Sequence, residues 1–132
     1  MTPSPIAVGL ILCEKIIVEK RTGNVTLVST FATLRVDGFP SRPDRIAFSA
    51  VLTGGEGEGT VDLVLTHLES DEEAYRMRRM LRFPGRLAEV QIAFHIRDCS
   101  FPSPGQYDAT LFVDGDPVAR RKFSVARKGI AQ

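Results

Sequence analysis

The chain has no tryptophan, and only two tyrosines, two histidines and two cysteines in 132 residues. Each scarcity excludes something. Two cysteines, Cys13 and Cys99, are too few for a disulfide framework. Each lies in or beside an apolar run, where a thiol behaves as a small hydrophobe. A Cys13–Cys99 bridge remains open on paper, but reduced thiols in a cytoplasmic protein are the favoured reading. His67 and His95 stand alone, with no HxH, HExxH or CxxC spacing around them, so neither a metal site nor a metal cofactor is expected. No run reaches the ~18 apolar residues of a membrane span. The apolar stretch Ile6 to Cys13 has no positive charge before it and bulky Leu12 just ahead of the cysteine. It reads as a strand, not as a leader. A formal net charge of +1 supplies no overall field to attract a polyanion or an anionic membrane.

What the chain does have is alternation. At 43% hydrophobic and 25% charged residues its make-up is that of an ordinary soluble globular protein, and its length predicts one domain over 1–132. Val90, Ile92, Phe94 and Ile96 alternate with Glu89, Gln91, His95 and Arg97, the two-residue period of a strand with one buried face. Tyr107, Ala109, Leu111 and Val113 repeat the pattern, and Ala119, Arg121, Phe123 and Val125 repeat it less cleanly. Asp114-Gly115-Asp116-Pro117 between the last two runs is a hairpin signal. Pro102, Pro104 and Gly105 between the first two rule out a continuous helix. Upstream, Ile6 to Glu19 reads as one long or two short strands covered on both faces. Val25 to Val36 reads as another strand after a turn at Arg21-Thr22-Gly23-Asn24. Ile46 to Leu52 and Thr60 to Leu68 complete the series.

Two segments invite a sharper reading. Gly54-Gly55-Glu56-Gly57-Glu58-Gly59 has the glycine content of a phosphate cradle, but that chemistry needs a helix start and usually a lysine. Two glutamates in that position repel phosphate, and a hairpin loop is the better expectation. Ser70 to Phe83 carries opposed signals. Ser70 with Glu73 forms a capping-box pattern, acids precede arginines, and Pro84-Gly85 follows. Tyr75, Met77 and Leu81 nevertheless alternate, with Arg79 the misfit. A strand is preferred here, with a short helix near 71–82 as the alternative.

Cys13 to Phe31 (CEKIIVEKRTGNVTLVSTF) and Arg97 to Val125, above all Asp98-Cys99-Ser100-Phe101-Pro102, Pro104-Gly105-Gln106-Tyr107 and Val113-Asp114-Gly115, resemble an uncharacterised bacterial family of small β-sandwich domains. The resemblance implies an all-β, immunoglobulin-like or C2-like antiparallel sandwich, which the runs above divide into about 7–8 strands. It brings no catalytic residues with it. Tyr107 beside the Pro-Gly corner has the place of a tyrosine that anchors a sheet-crossing turn.

Charge is segregated along the chain. Gly54 to Glu73 holds seven acidic residues and no lysine or arginine, while Pro117 to Gln132 holds five basic residues and no acid. The favoured function is a non-catalytic binding or assembly module for an unidentified protein partner or a second copy of itself, acting through edge strands, loops and charge. Arg76, Arg78, Arg82, Arg120 and Lys122 form its candidate anion or partner patch. The alternative is a nucleic-acid-binding accessory protein using those residues with Arg79, Arg86 and Arg121, and with Tyr75 or Phe83 to stack a base. Third is a small hydrolase built on Ser100, His95 and Asp98, for which no nucleophile elbow is present. Asp114 and Asp116 fall short of a calcium site. No catalytic, cofactor or metal residue is assigned, and no membrane is expected as a partner.

Overall fold

A computed structural model describes residues 5–129 of the chain; residues 1–4 and 130–132, the ends of the expected domain, lie outside the described residues. Nine strands and no helix occur among those described: β1 (Ile6–Val18), β2 (Val25–Thr30), β3 (Thr33–Val36), β4 (Ala47–Thr53), β5 (Gly57–His67), β6 (Glu73–Phe83), β7 (Glu89–His95), β8 (Gly105–Val113) and β9 (Asp116–Arg127). They form a four-stranded sheet, β2-β1-β4-β7, and a five-stranded sheet, β3-β9-β8-β5-β6. Among the described residues no helix is long and apolar enough to cross a membrane.

The two-residue period decides what each sheet buries. Leu10, Leu12, Phe48, Ala50, Leu52, Ile92 and Phe94 from the smaller sheet share one core with Val61, Leu63, Leu65, Ala109, Leu111, Val113, Phe123 and Val125 from the larger. The ring of Phe123 stands at its centre. It stacks on Tyr107 at 5.8 Å and meets Phe101 and Phe48 edge-on at 6.1 and 5.9 Å. Such offset and edge contacts add to the burial of large rings. The Tyr107 hydroxyl donates to the backbone oxygen of Ser103 at 2.6 Å, and His67 packs edge-on against the same ring at 4.8 Å. His67 is itself held, through Nδ1 to Ser70 Oγ (2.9 Å) and Nε2 to Pro104 O (3.3 Å). The corner before β8 is therefore pinned from both sides of the tyrosine.

Several expectations need correction. The helix alternative over 71–82 is wrong. β6 pairs with β5 from Glu73 to Phe83, and burying Tyr75, Met77 and Leu81 against the core outweighs the local capping signal. Ser70 serves a turn instead, its Oγ accepting from the Glu72 N–H. The strand count is nine, above the expected 7–8, because Val25 to Val36 is two strands in different sheets, with the chain crossing between them at Phe31-Ala32. Pairing is not wholly antiparallel, since β3 runs parallel to β9. β1 is not covered on both faces: Ile6, Val8, Ile11, Ile17 and Val18 are exposed. The glycine run is not a hairpin within one sheet but a crossover between β4 and β5, which lie in different sheets. A Cβ at Gly55 would lie 2.7 Å from the Phe83 ring, so glycine is required there by close approach. At the true hairpin between β8 and β9, Asp114 and Gly115 both have positive φ, 50° and 87°, the geometry of a primed two-residue turn.

Replacing Tyr107 by phenylalanine removes the hydroxyl and leaves Ser103 O without its buried donor. The expected result is a loss of about 1–3 kcal/mol of unfolding free energy, read as a lower urea midpoint with an unchanged slope.

Candidate functional site

Strand register places the basic residues. Cross-strand partners share a face, and β6 meets β5 as Arg82↔Glu58, Met80↔Thr60, Arg78↔Asp62 and Arg76↔Val64. β5 meets β8 as Asp62↔Phe112, Val64↔Thr110 and Thr66↔Asp108. β8 meets β9 as Thr110↔Arg120 and Asp108↔Lys122. Arg76, Arg78, Arg82, Arg120 and Lys122 therefore all lie on the outer face of the five-stranded sheet, away from the core. Arginines from β6 line one side and the β9 pair lines the other.

Between them two carboxylates are sunk into the sheet. The side chain of Asp62 is 10% exposed and that of Asp108 is 4% exposed, while Arg76, Arg78 and Arg120 above them are 48%, 67% and 63% exposed. Arg78 clasps Asp62 bidentately, Nε to Oδ1 at 2.8 Å and Nη2 to Oδ2 at 3.2 Å, with Arg76 at 3.8 Å. The hydrogen bond from Arg78 holds the Asp62 carboxyl below its ordinary value, its two arginine neighbours adding to the effect against the opposing pull of burial. Arg120 Nε and Thr110 Oγ1 both donate to Asp108 Oδ2 at 2.8 Å. Asp108 Oδ1 is buried with no hydrogen-bond partner among the described residues, and Lys122 stands directly opposite Asp108 in the ladder. Solvent thus meets guanidinium groups whose orientation is fixed from below. A fixed guanidinium spends less conformational entropy on each new bond and keeps its remaining donors directed outward. Among the described residues, Arg82 and Lys122 make no ion pair.

The other basic residues serve different ends. Arg79 and Arg121 fall on the inward side of their strands and tie the sheets together. Arg79 Nη1 donates to Ala93 O at 2.6 Å and its guanidinium lies 5.7 Å from the centre of the Phe94 ring, while Arg121 Nη1 donates to Leu10 O at 3.3 Å. This explains the misfit at position 79 in the β6 pattern. Arg86 lies in the connection from β6 to β7, its carbonyl accepting from Gly54 N. Neither aromatic considered for base stacking is placed for it. Phe83 is in the core and Tyr75 packs against the core. The aromatic on the basic face is Phe112, opposite Asp62. Sequence reasoning missed Asp62 and Asp108; each is an acid at an outward strand position whose arginine lies on the adjacent strand, and the sequence shows the outward position but not the burial.

Ser100, His95 and Asp98 are not brought together by hydrogen bonds. His95 faces outward on β7 opposite Ala47, and Asp98 holds a left-handed turn at φ 59°. Asp114 Oδ1 accepts from Thr60 N at 2.9 Å and so anchors the hairpin to β5. Cys13 and Cys99 are free, buried thiols. Burial raises both, pushing Cys99 up to about 12.

A family model described as a family of unknown function (DUF6941) matches residues 9–126. No curated protein matches the chain. Among solved structures, the chain is similar to the Pseudomonas fluorescens alkylpurine DNA glycosylase AlkC bound to DNA containing an abasic site analog. The identity is 14% and the TM-score 0.54, over 92% of this chain and 30% of that one. At that identity the likeness is one of fold alone, and the chain spans only about a third of the other protein's length.

The folded-state carboxyl of Asp62 lies below the ordinary 3.8. Its contribution is therefore fully present above that pH and is lost as pH falls through the lowered folded value. Asp62→Asn is expected to be less stable than the parent at neutral pH and to lose less stability on acidification below about pH 4. Urea unfolding at stepped pH checks this, and parallel pH profiles for the two proteins would contradict it.

Proposed function

The chain belongs to the family of unknown function DUF6941, and we propose that it is a non-catalytic recognition module that docks an acidic protein segment on the outer face of its five-stranded sheet. The scaffold is an immunoglobulin-like or C2-like sandwich, supported by two sheets around one core and by the tyrosine-anchored corner at Tyr107. A cytoplasmic setting accords with the two free thiols. The observation that carries the function is the layering at Asp62 and Asp108: buried carboxylates beneath, exposed and oriented cations above. An acidic segment crossing the strands meets Arg82, Arg78 and Arg76 on one side and Arg120 and Lys122 on the other. Charge complementarity of this kind sets encounter and register more than raw affinity.

Nucleic acid is the second reading, since the same cations suit phosphates and the structural neighbour is a protein bound to DNA. It is the weaker one. The acids on this face repel a polyanion, and with Phe83 and Tyr75 turned toward the core a base would find, among the described residues, Phe112 alone to stack on.

Fluorescence anisotropy with a labelled poly-glutamate peptide and a labelled single-stranded oligonucleotide of equal charge separates the two. The peptide is expected to bind at low salt, to weaken as salt rises, and to lose about two- to fivefold in affinity for each of Arg82→Ala and Lys122→Ala, the scale of an exposed charge pair. Tight binding of the oligonucleotide alone would replace this reading with the second. Binding of neither at low salt would end both.

A further inference from the structure

A sheet edge accepts another strand unless something blunts it, because its outer N–H and C=O groups are unpaired. The two sheets present four edges, β2 and β7 in one and β3 and β6 in the other. Three are blunted. β6 carries Arg76, Arg78, Arg79 and Arg82. β7 is closed at Ala93 by the Arg79 guanidinium. β3 has only four residues. The edge at β2 is different. Its six residues, Val25-Thr26-Leu27-Val28-Ser29-Thr30, include no charge and no proline, and among the described residues only its inner side is occupied, by β1. The adjoining sheet face is apolar as well. Val25 and Leu27 pack with Cys13, Ile16, Ala47 and Ala93 in a cluster separate from the main core, and Val18 beside them is 55% exposed.

We propose that β2 pairs antiparallel with β2 of a second copy of this chain, about a two-fold axis normal to the sheet, joining two four-stranded sheets into one. Such an axis keeps each sheet face on its own side, so residues brought opposite must share parity. With Leu27 opposite its own counterpart, Val25 meets Ser29 and Thr26 meets Val28 of the second copy. Leu27 then sits on the axis between two copies of the outer apolar cluster, and that cluster becomes continuous across the join. Centring on Val28 instead sets Leu27 against Ser29 and leaves Val25 outside the ladder. The pairing ends at Ser29, whose φ of 54° turns the chain. The second copy is the fitting occupant because the strand is its own complement: it offers backbone groups and apolar side chains and no counter-charge for a charged strand. The join lies on the opposite sheet from the basic face, so it goes beyond the recognition role and either can fail alone.

Size exclusion with light scattering over a dilution series is expected to give the mass of two chains at high concentration and of one on dilution. High salt should leave the dimer intact, since no charge holds it. Leu27→Lys should be monomeric because it meets its own image, and Thr26→Lys, at an exposed position, gives the same readout if the first variant folds poorly. Directly opposed residues in an antiparallel pair have Cα atoms about 4.5–5.5 Å apart, within disulfide range. Mild oxidation should therefore link Leu27→Cys into a covalent dimer much faster than Thr26→Cys, whose counterpart is offset by two residues. A single monomeric mass at every concentration would overturn the proposal. So would Thr26→Cys linking as fast as Leu27→Cys.

Discussion

The structure depends on one constraint: alternate side chains from both sheets must fill a single core, at which Phe123 gathers three other rings. The Phe123 ring meets Tyr107 of its own sheet, Phe101 of the connection between β7 and β8, and Phe48 of the other sheet. Once those positions are committed to the interior, the remaining residues have no choice of face, because a strand cannot slip by one without exposing its whole apolar set. The outer faces are the complement of the core. On the five-stranded sheet the complement is cationic, with Asp62 and Asp108 fixing the arginines. On the four-stranded sheet it is small and apolar around Cys13, Ile16 and Ala47. Two chemically opposite surfaces thus follow from one packing requirement.

Parity also separates arginines that look alike in the sequence. Arg78 and Arg79 are neighbours in the chain, yet one clasps Asp62 on the outer face and the other reaches across to Ala93 O and the Phe94 ring. Arg120 and Arg121 divide in the same way, the first onto Asp108 and the second onto Leu10 O. The inward member of each pair does a structural task, closing one flank of the molecule where the two sheets approach. The outward member keeps its remaining donors toward solvent. A basic stretch is therefore two populations here, and its charge count overstates the charge presented on the outer face.

Much of the fold was legible in the residues. Alternation over Val90–Ile96 and Tyr107–Val113 and the turn at Asp114-Gly115 identify β7, β8 and the β8–β9 hairpin, because antiparallel strands with one buried face print their period directly. What was not legible was long-range. Nothing local marks the crossover at Phe31-Ala32, and the parallel pairing of β3 with β9 depends on residues about ninety positions apart. The Ser70–Glu73 signal pointed to a helix against the alternation of Tyr75, Met77 and Leu81, and the ladder with β5 bears out the strand that the alternation favoured. The five cations of the candidate face were recognisable as a set. The buried carboxylates that orient three of them were not, since burial of Asp62 and Asp108 comes from neighbours on other strands.

The alternation of β6 is the most direct test of the whole account, because that strand carries both core residues and three cations of the face. Single cysteines placed in turn at positions 74 to 82 can be timed for reaction with a thiol reagent in the folded protein. Buried Cys13 and Cys99 stay silent, their thiols raised by burial. Fast labelling at 76, 78, 80 and 82 with slow labelling at 75, 77 and 81 is the result that follows from the strand. A rate pattern repeating every three to four residues, the signature of a helix, would contradict it.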